Sequence, residues 1–136
     1  MIVFDASTLV SAAFRRSGIP SRAVRRALGA HRIAVSEAVM AELLDVLHRP
    51  RLARFVDADL RIEPIGQLLA LGAVFAPAMR VTDCRDPKDN KYLELALASG
   101  AAAIVSSDAD LLVPHPWRRV RILRPADYLA EAGDGS

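Results

Sequence analysis

One cysteine, Cys84, is present in 136 residues. No intrachain disulfide and no cysteine zinc cluster can form, and the sequence predicts a reduced, cytoplasmic protein. Aromatic residues make up only 5%, too few for a base-stacking platform along a single strand. The histidines, His31, His48 and His115, are isolated and none pairs with a serine or cysteine at a nucleophile elbow. Gly-rich phosphate loops and the GxGxxG fingerprint are absent too. No apolar run reaches the roughly 18 residues that span a bilayer. The N-terminal MIVFDAST carries an acid at position 5 and no basic n-region, so neither a membrane segment nor a signal peptide is expected.

Apolar residues are plentiful, at 52%. That share excludes global disorder and is high for so short a chain, which predicts a covered surface, as in a homodimer or a tight protein complex. The length fits one domain, read as residues 1–132, with 133–136 as a flexible tail.

Net charge is +2, but the signs are segregated. From Ala6 to Ser36 there is no acid, whereas Arg15, Arg16, Arg22, Arg25, Arg26 and Arg32 are basic. From Val81 to Asp110 the balance reverses, with Asp83, Asp86, Asp89, Glu94, Asp108 and Asp110 against Arg85, Lys88 and Lys91. Such a layout suits a polyanion held over a cation site, and equally two separate solvated faces.

Strand and helix patterns alternate. Met1–Phe4, Arg32–Val35, Ala73–Phe75, Ala103–Ser106 and Val120–Leu123 read as strands. Helices are expected at Ser7–Phe14, stopped by Gly18 and Pro20; at Arg22–Leu28, capped by Ser21; and from Ser36 to His48. More are expected at Arg51–Val56, Asp59–Leu71, Pro87–Ser99 and from Ala126. The order predicts a Rossmann-like α/β fold: three α/β/α layers around a mainly parallel sheet of about five strands. In such sheets ligands bind beyond the carboxyl ends of the strands.

Several acids fall at that edge. Asp5 directly follows the first strand, and Asp108 follows the fourth by two residues. Asp89 stands four residues before Leu93, extending the apolar face of Leu93, Ala96, Leu97 and Gly100 to its N-terminal end, so its carboxylate should face Asp5. Helix-dipole stabilisation would place an acid there as well. Asp86 precedes Pro87 as a helix cap does. Glu42 lies mid-helix among Val39, Met40, Leu43 and Leu44, either on a polar stripe with Asp45 or projecting into a polar pocket. Asp110 reads as a surface residue of the turn after Asp108. Ser7 and Thr8 could cap their helix or hold a water or phosphate oxygen. Arg22, Arg25 and Arg26 form a basic helix face, either simply solvated or touching a nucleic-acid backbone. Carboxylates converging on one point repel each other, and an all-oxygen set calls for Mg²⁺ or Mn²⁺.

Four blocks, IVFDASTLVSA, SEAVMAELLDVL, DPKDNKYLELALASGA and AIVSSDADLL, together resemble the PIN domain, in order and over nearly the whole chain. The group most resembled is the bacterial and archaeal PIN proteins treated as toxins of type II toxin–antitoxin pairs. The resemblance implies Mg²⁺- or Mn²⁺-dependent ribonuclease activity and inhibition by a small antitoxin protein. It carries the family's acidic quartet onto Asp5, Glu42, Asp89 and Asp108 as catalytic and metal-binding residues, with Ser7, Thr8, Asp86 and Asp110 as accessory candidates. Two other classes stay open: a non-catalytic module that binds RNA or protein, and a structure-selective DNA nuclease.

Overall fold

The structure, a computed structural model, describes residues 1–15, 17–49, 66 and 70–131. The expected helices at Arg51–Val56 and most of Asp59–Leu71, and the tail at 133–136, lie outside the described residues. The elements run β1 (Ile2–Phe4), α1 (Ala6–Phe14), α2 (Ile19–Ala30), β2 (Ala34–Val35), α3 (Glu37–Leu47) and β3 (Ala73–Val74). A 3₁₀ turn at Pro87–Asp89 leads into α4 (Asn90–Ser99), then β4 (Ala103–Val105), α5 (Ala109–Leu112), β5 (Arg121–Leu123) and α6 (Pro125–Glu131).

Among the described residues all pairs of named strands are parallel. β4 lies between β1 and β5, with Ile2 opposite Ala103 and Ala103 opposite Arg121, while β2 pairs with β3. The fold class is α/β with a mainly parallel sheet, as the alternation predicts. Among the described residues a continuous five-stranded sheet is not formed. The strands divide into a three-stranded and a two-stranded sheet. One bridge, Ile2 to Ile33, and the Ile2 amide donating to the Arg32 carbonyl at 2.9 Å join them. β2 and β3 are each only two residues long, too short for more than a local ladder. Every residue of β1 and β4 is buried, the pattern of parallel strands covered by helices on both faces.

The spatial order β3–β2–β1–β4–β5 makes the chain move outward in one direction from β1, then in the other from β4. This reversal creates a crevice at the carboxyl ends of β1 and β4, where open α/β sheets bind their ligands.

Two helix starts differ from expectation. α2 begins at Ile19, with Gly18 as N-cap and Pro20 in the first turn. Proline lacks an amide that the first turn would leave unused anyway, so Pro20 opens this helix rather than closing the previous one. Ser21 is consequently buried inside α2, where its Oγ accepts from Arg25 Nη1 at 2.8 Å, and it is not a cap. Residues Ala109–Leu112, expected only as a turn, form α5, capped by Asp108. Asp86 does cap its turn, accepting from the Lys88 amide at 3.0 Å. Ser36 likewise caps α3 through the Val39 amide at 3.2 Å.

α4 buries Tyr92, Leu93, Leu95 and Ala96 and packs against β1 and β2. It ends at Gly100, whose φ of 65° and ψ of 33° lie in the left-handed region. A Cβ there would meet nothing within 4 Å, so the penalty for a side chain is purely backbone conformation. Gly100→Ala should cost about 1 kcal/mol, read as a lower urea midpoint with an unchanged m-value. No described helix is long and apolar enough to cross a membrane.

Candidate metal centre

Each acid reaches the crevice by a local rule of chain geometry. β1 ends at Phe4, and the next residue must leave the sheet and start a helix. Asp5 does so as the N-cap of α1, its Oδ1 accepting from the Thr8 amide at 2.8 Å. Its other oxygen, Oδ2, accepts from the Ser106 hydroxyl in a short hydrogen bond. Ser106 is fully buried just beyond β4, and its Oγ also accepts from the Asp108 amide at 2.9 Å. The ends of β1 and β4 are thus tied together through one serine. Asp108 caps α5 by accepting from the Asp110 amide at 2.9 Å.

Asp89 closes the 3₁₀ turn ahead of α4 and is only 6% exposed. Its Oδ2 is buried without a hydrogen-bond partner, a costly state for a carboxylate. Glu42 comes from the middle of α3, and its Oε2 meets both Lys91 Nζ, at 3.1 Å, and the Tyr92 hydroxyl, in a short hydrogen bond. Glu42 is therefore directed into the pocket, not onto the stripe with Asp45, which pairs with Arg49.

Asp5, Ser7, Glu42, Asp89, Tyr92, Ser107 and Asp108 line one cavity of about 280 Å³ at the carboxyl edge. The electrostatics follow from crowding. Burial, then the charges of Asp108 and Asp86, a hydrogen bond with Asp108, and Glu42 push Asp89 up to about 7. Burial also raises Asp5; hydrogen bonds with Ser106 and Thr8 oppose this and Asp108 adds to it. Tyr92 is held far above the ordinary phenol range, first by burial and then by its bond to Glu42, so it remains a donor. Cys84 is pushed up to about 11 by burial and the acids around it. It stays a thiol, which removes it as a nucleophile at neutral pH.

The accessory candidates divide. Ser7 is exposed on the cavity wall, whereas Thr8 is buried and contributes its amide to Asp5. Asp86, Asp89 and Asp110 each offer an oxygen within 4.8 Å of the others. Asp110 already holds Arg85, at 2.6 Å to both Nε and Nη2. Asp83 is taken up by Trp117 Nε1 at 2.7 Å and lies near Arg118. Of the basic helix face, Arg26 lines a cavity with Ile2, Ala102 and Arg121, at the opposite, amino edge of the sheet.

These donors fit a hard divalent cation. They are all oxygens, one is buried and unpartnered, and ionising them together without a cation is opposed by their mutual repulsion. Three polar participants escape the sequence reading. Tyr92 sits on the apolar face of α4 and reads as core, Ser106 reads as the last residue of a strand, and Lys91 reads as part of a charge run. For Ser106 a signal exists: a polar residue closing an apolar strand two positions before a candidate ligand.

A family model described as PIN domain matches residues 1–110. Among solved structures, PAE2754 from Pyrobaculum aerophilum is similar with a TM-score of 0.66 at 16% identity, covering 96% of this chain and 88% of that one. VapBC2 from Rickettsia felis, in a structure bound to a DNA fragment from their promoter, is similar with a TM-score of 0.61 at 12% identity, covering 90% and 97%. No curated protein sequence matches.

Proposed function

The chain belongs to the PIN domain family, and from that premise we propose that it is a Mg²⁺- or Mn²⁺-dependent endoribonuclease, the toxin of a toxin–antitoxin pair. The observation that carries this reading is the cavity at the β1–β4 crevice, where Asp5, Glu42, Asp89 and Asp108 converge and one buried carboxylate oxygen has no partner.

Asp5, Asp89 and Asp108 would hold the ion, with Glu42 completing the set or orienting a water. A divalent cation there supplies Lewis acidity toward a phosphodiester and lowers the pKa of a coordinated water. The protein's own groups do the rest. Ser106 and the Thr8 amide fix both oxygens of Asp5. Ser7, exposed on the wall, is placed to hydrogen-bond a water or a phosphate oxygen. Lys91, 3.1 Å from Glu42 Oε2, would add positive charge beside the acids. Asp86 and Asp110 would steer the cation more than bind it, since Arg85 already occupies Asp110.

Arg26 lies at the far edge of the sheet, so an RNA contact that includes Arg26 would need a strand that wraps around the domain. The likeness to VapBC2, whose structure holds promoter DNA, supports an antitoxin partner. We further propose a homodimeric, cytoplasmic protein whose single domain spans residues 1–132.

The test is cleavage of labelled single-stranded RNA, single-stranded DNA and duplex DNA with Mn²⁺, Mg²⁺ or EDTA. RNA cut only with metal is the expected result. Cleavage of DNA alone would transfer the activity to a DNA nuclease. A salt-sensitive RNA complex without turnover, indifferent to EDTA, would replace catalysis by binding.

A further inference from the structure

Tyr92 is 2% exposed, and a phenylalanine would fill the same apolar space. Its hydroxyl is therefore not explained by core packing. That oxygen accepts from the Ala6 amide at 2.9 Å and donates to Glu42 Oε2. Ala6 is the residue after Asp5, Glu42 sits in mid-α3, and Tyr92 follows Asp89 by three residues. A single hydroxyl thus touches all three segments that bring Asp5, Glu42 and Asp89 to the cavity. Lys91 Nζ reaches the same Glu42 oxygen at 3.1 Å, so both contacts fall on Oε2.

A glutamate side chain has three rotatable bonds, and ordering it costs conformational entropy. An untethered Glu42 at the rim would spend much of its time turned to solvent. We propose that Tyr92 is a positioning residue for Glu42: its buried hydroxyl fastens the Glu42 carboxylate to the first amide of α1 and, with Lys91, holds Oε2 so that Oε1 faces the cavity as the working oxygen. The inference rests on the metal-centre reading. It adds that the geometry of Glu42 is set from α4 and shared with the entry to α1. Groups that orient a metal ligand typically change metal affinity ten- to a hundredfold when removed.

The test is Mn²⁺ titration calorimetry without RNA on the wild type, Tyr92→Phe, Glu42→Ala and the double variant, with circular dichroism to confirm folding. Tyr92→Phe should weaken Mn²⁺ binding about ten- to hundredfold, and in the Glu42→Ala background it should weaken it no further. In cleavage assays Tyr92→Phe should lower kcat while leaving the RNA KM unchanged. Unchanged Mn²⁺ affinity, or a loss that adds fully to that of Glu42→Ala, would overturn the inference, because a residue acting only through the fold gives additive effects. A wild type that binds no Mn²⁺ would sink the metal-centre reading itself and this inference with it; the two failures are distinguished by the wild-type titration alone. Should Tyr92→Phe not fold, the Ala6 amide proton decides: its resonance should move on Glu42→Ala, and an unmoved resonance would mean that the hydroxyl does not couple the two.

Discussion

Asp5→Asn is expected to reduce metal-dependent RNA cleavage by about a thousandfold, with the melting temperature changed by only a few degrees. The two halves of this expectation come from different properties of one side chain. Asparagine caps a helix as well as aspartate does, so the bond to the Thr8 amide survives. Its Oδ1 and amide can also keep a hydrogen bond with Ser106 after a small rotation. The negative charge is what disappears. A bound divalent ion contributes several kcal/mol of transition-state stabilisation, and each ~1.4 kcal/mol lost is a factor of ten in rate. Cleavage assays beside thermal melts check both halves. Retained activity would show that Asp5 is a cap and nothing more.

Asp89→Asn should raise metal-free stability at pH 8 and, like Asp5→Asn, abolish metal-dependent cleavage. Folding raises the Asp89 carboxyl from an ordinary value near 3.8 to about 7, so the folded protein binds this proton more tightly than the unfolded chain. The resulting stabilisation is complete below about pH 4 and is lost as pH rises through about 7. Asp5 is shifted in the same direction and adds to the trend. Metal-free protein should therefore melt at progressively lower temperature between about pH 4 and pH 8. Mn²⁺ selects the ionised carboxylates, so its stabilising effect should grow over the same interval. At a hundred times its dissociation constant a ligand adds about 2.7 kcal/mol, roughly 10 °C for a chain of this size. Asp89→Asn removes the buried charge. At pH 8 the metal-free variant should melt above the metal-free wild type, and the Mn²⁺ shift should vanish together with cleavage. A wild type whose metal-free stability rises with pH across this range would contradict this account of Asp89.

The one unpartnered buried carboxylate oxygen among the described residues lies at the site. Among the described residues the only unpartnered buried side-chain atoms are Asp89 Oδ2 and Ser99 Oγ. Asp83, Asp110 and Glu42 have cationic or hydrogen-bonding partners. The fold tolerates one unpartnered carboxylate oxygen at the crevice while neighbouring acids have partners, as expected where function outweighs stability.

Short-range rules made much of this readable from the sequence. Asp5 could be placed because a fully apolar strand must end before it, Asp108 because the same holds two residues earlier, and Gly100 because a helix must close there. Asp89 followed from its spacing to Leu93. The pieces that escaped depend on contacts far apart in the chain. The Tyr92–Glu42 bond spans 50 residues and the Ser106–Asp5 bond 101, and neither partner differs in type from an ordinary core tyrosine or strand-end serine. The start of α2 is ambiguous in the sequence because proline can open a helix as well as end one, and here Pro20 opens it. The arginine face of α2 was legible as a pattern, but its location was not: which edge of the sheet Arg26 occupies depends on where α2 meets α6, a tertiary fact.

The central claim is that four carboxylates at the β1–β4 crevice hold a divalent cation. Anomalous scattering from a crystal grown with Mn²⁺ tests it most directly. The account predicts a peak within the cavity lined by Asp5, Glu42, Asp89 and Asp108, with Asp89 Oδ2 among its ligands. A peak held only by Asp86 and Asp110, or no peak at millimolar Mn²⁺, would contradict it.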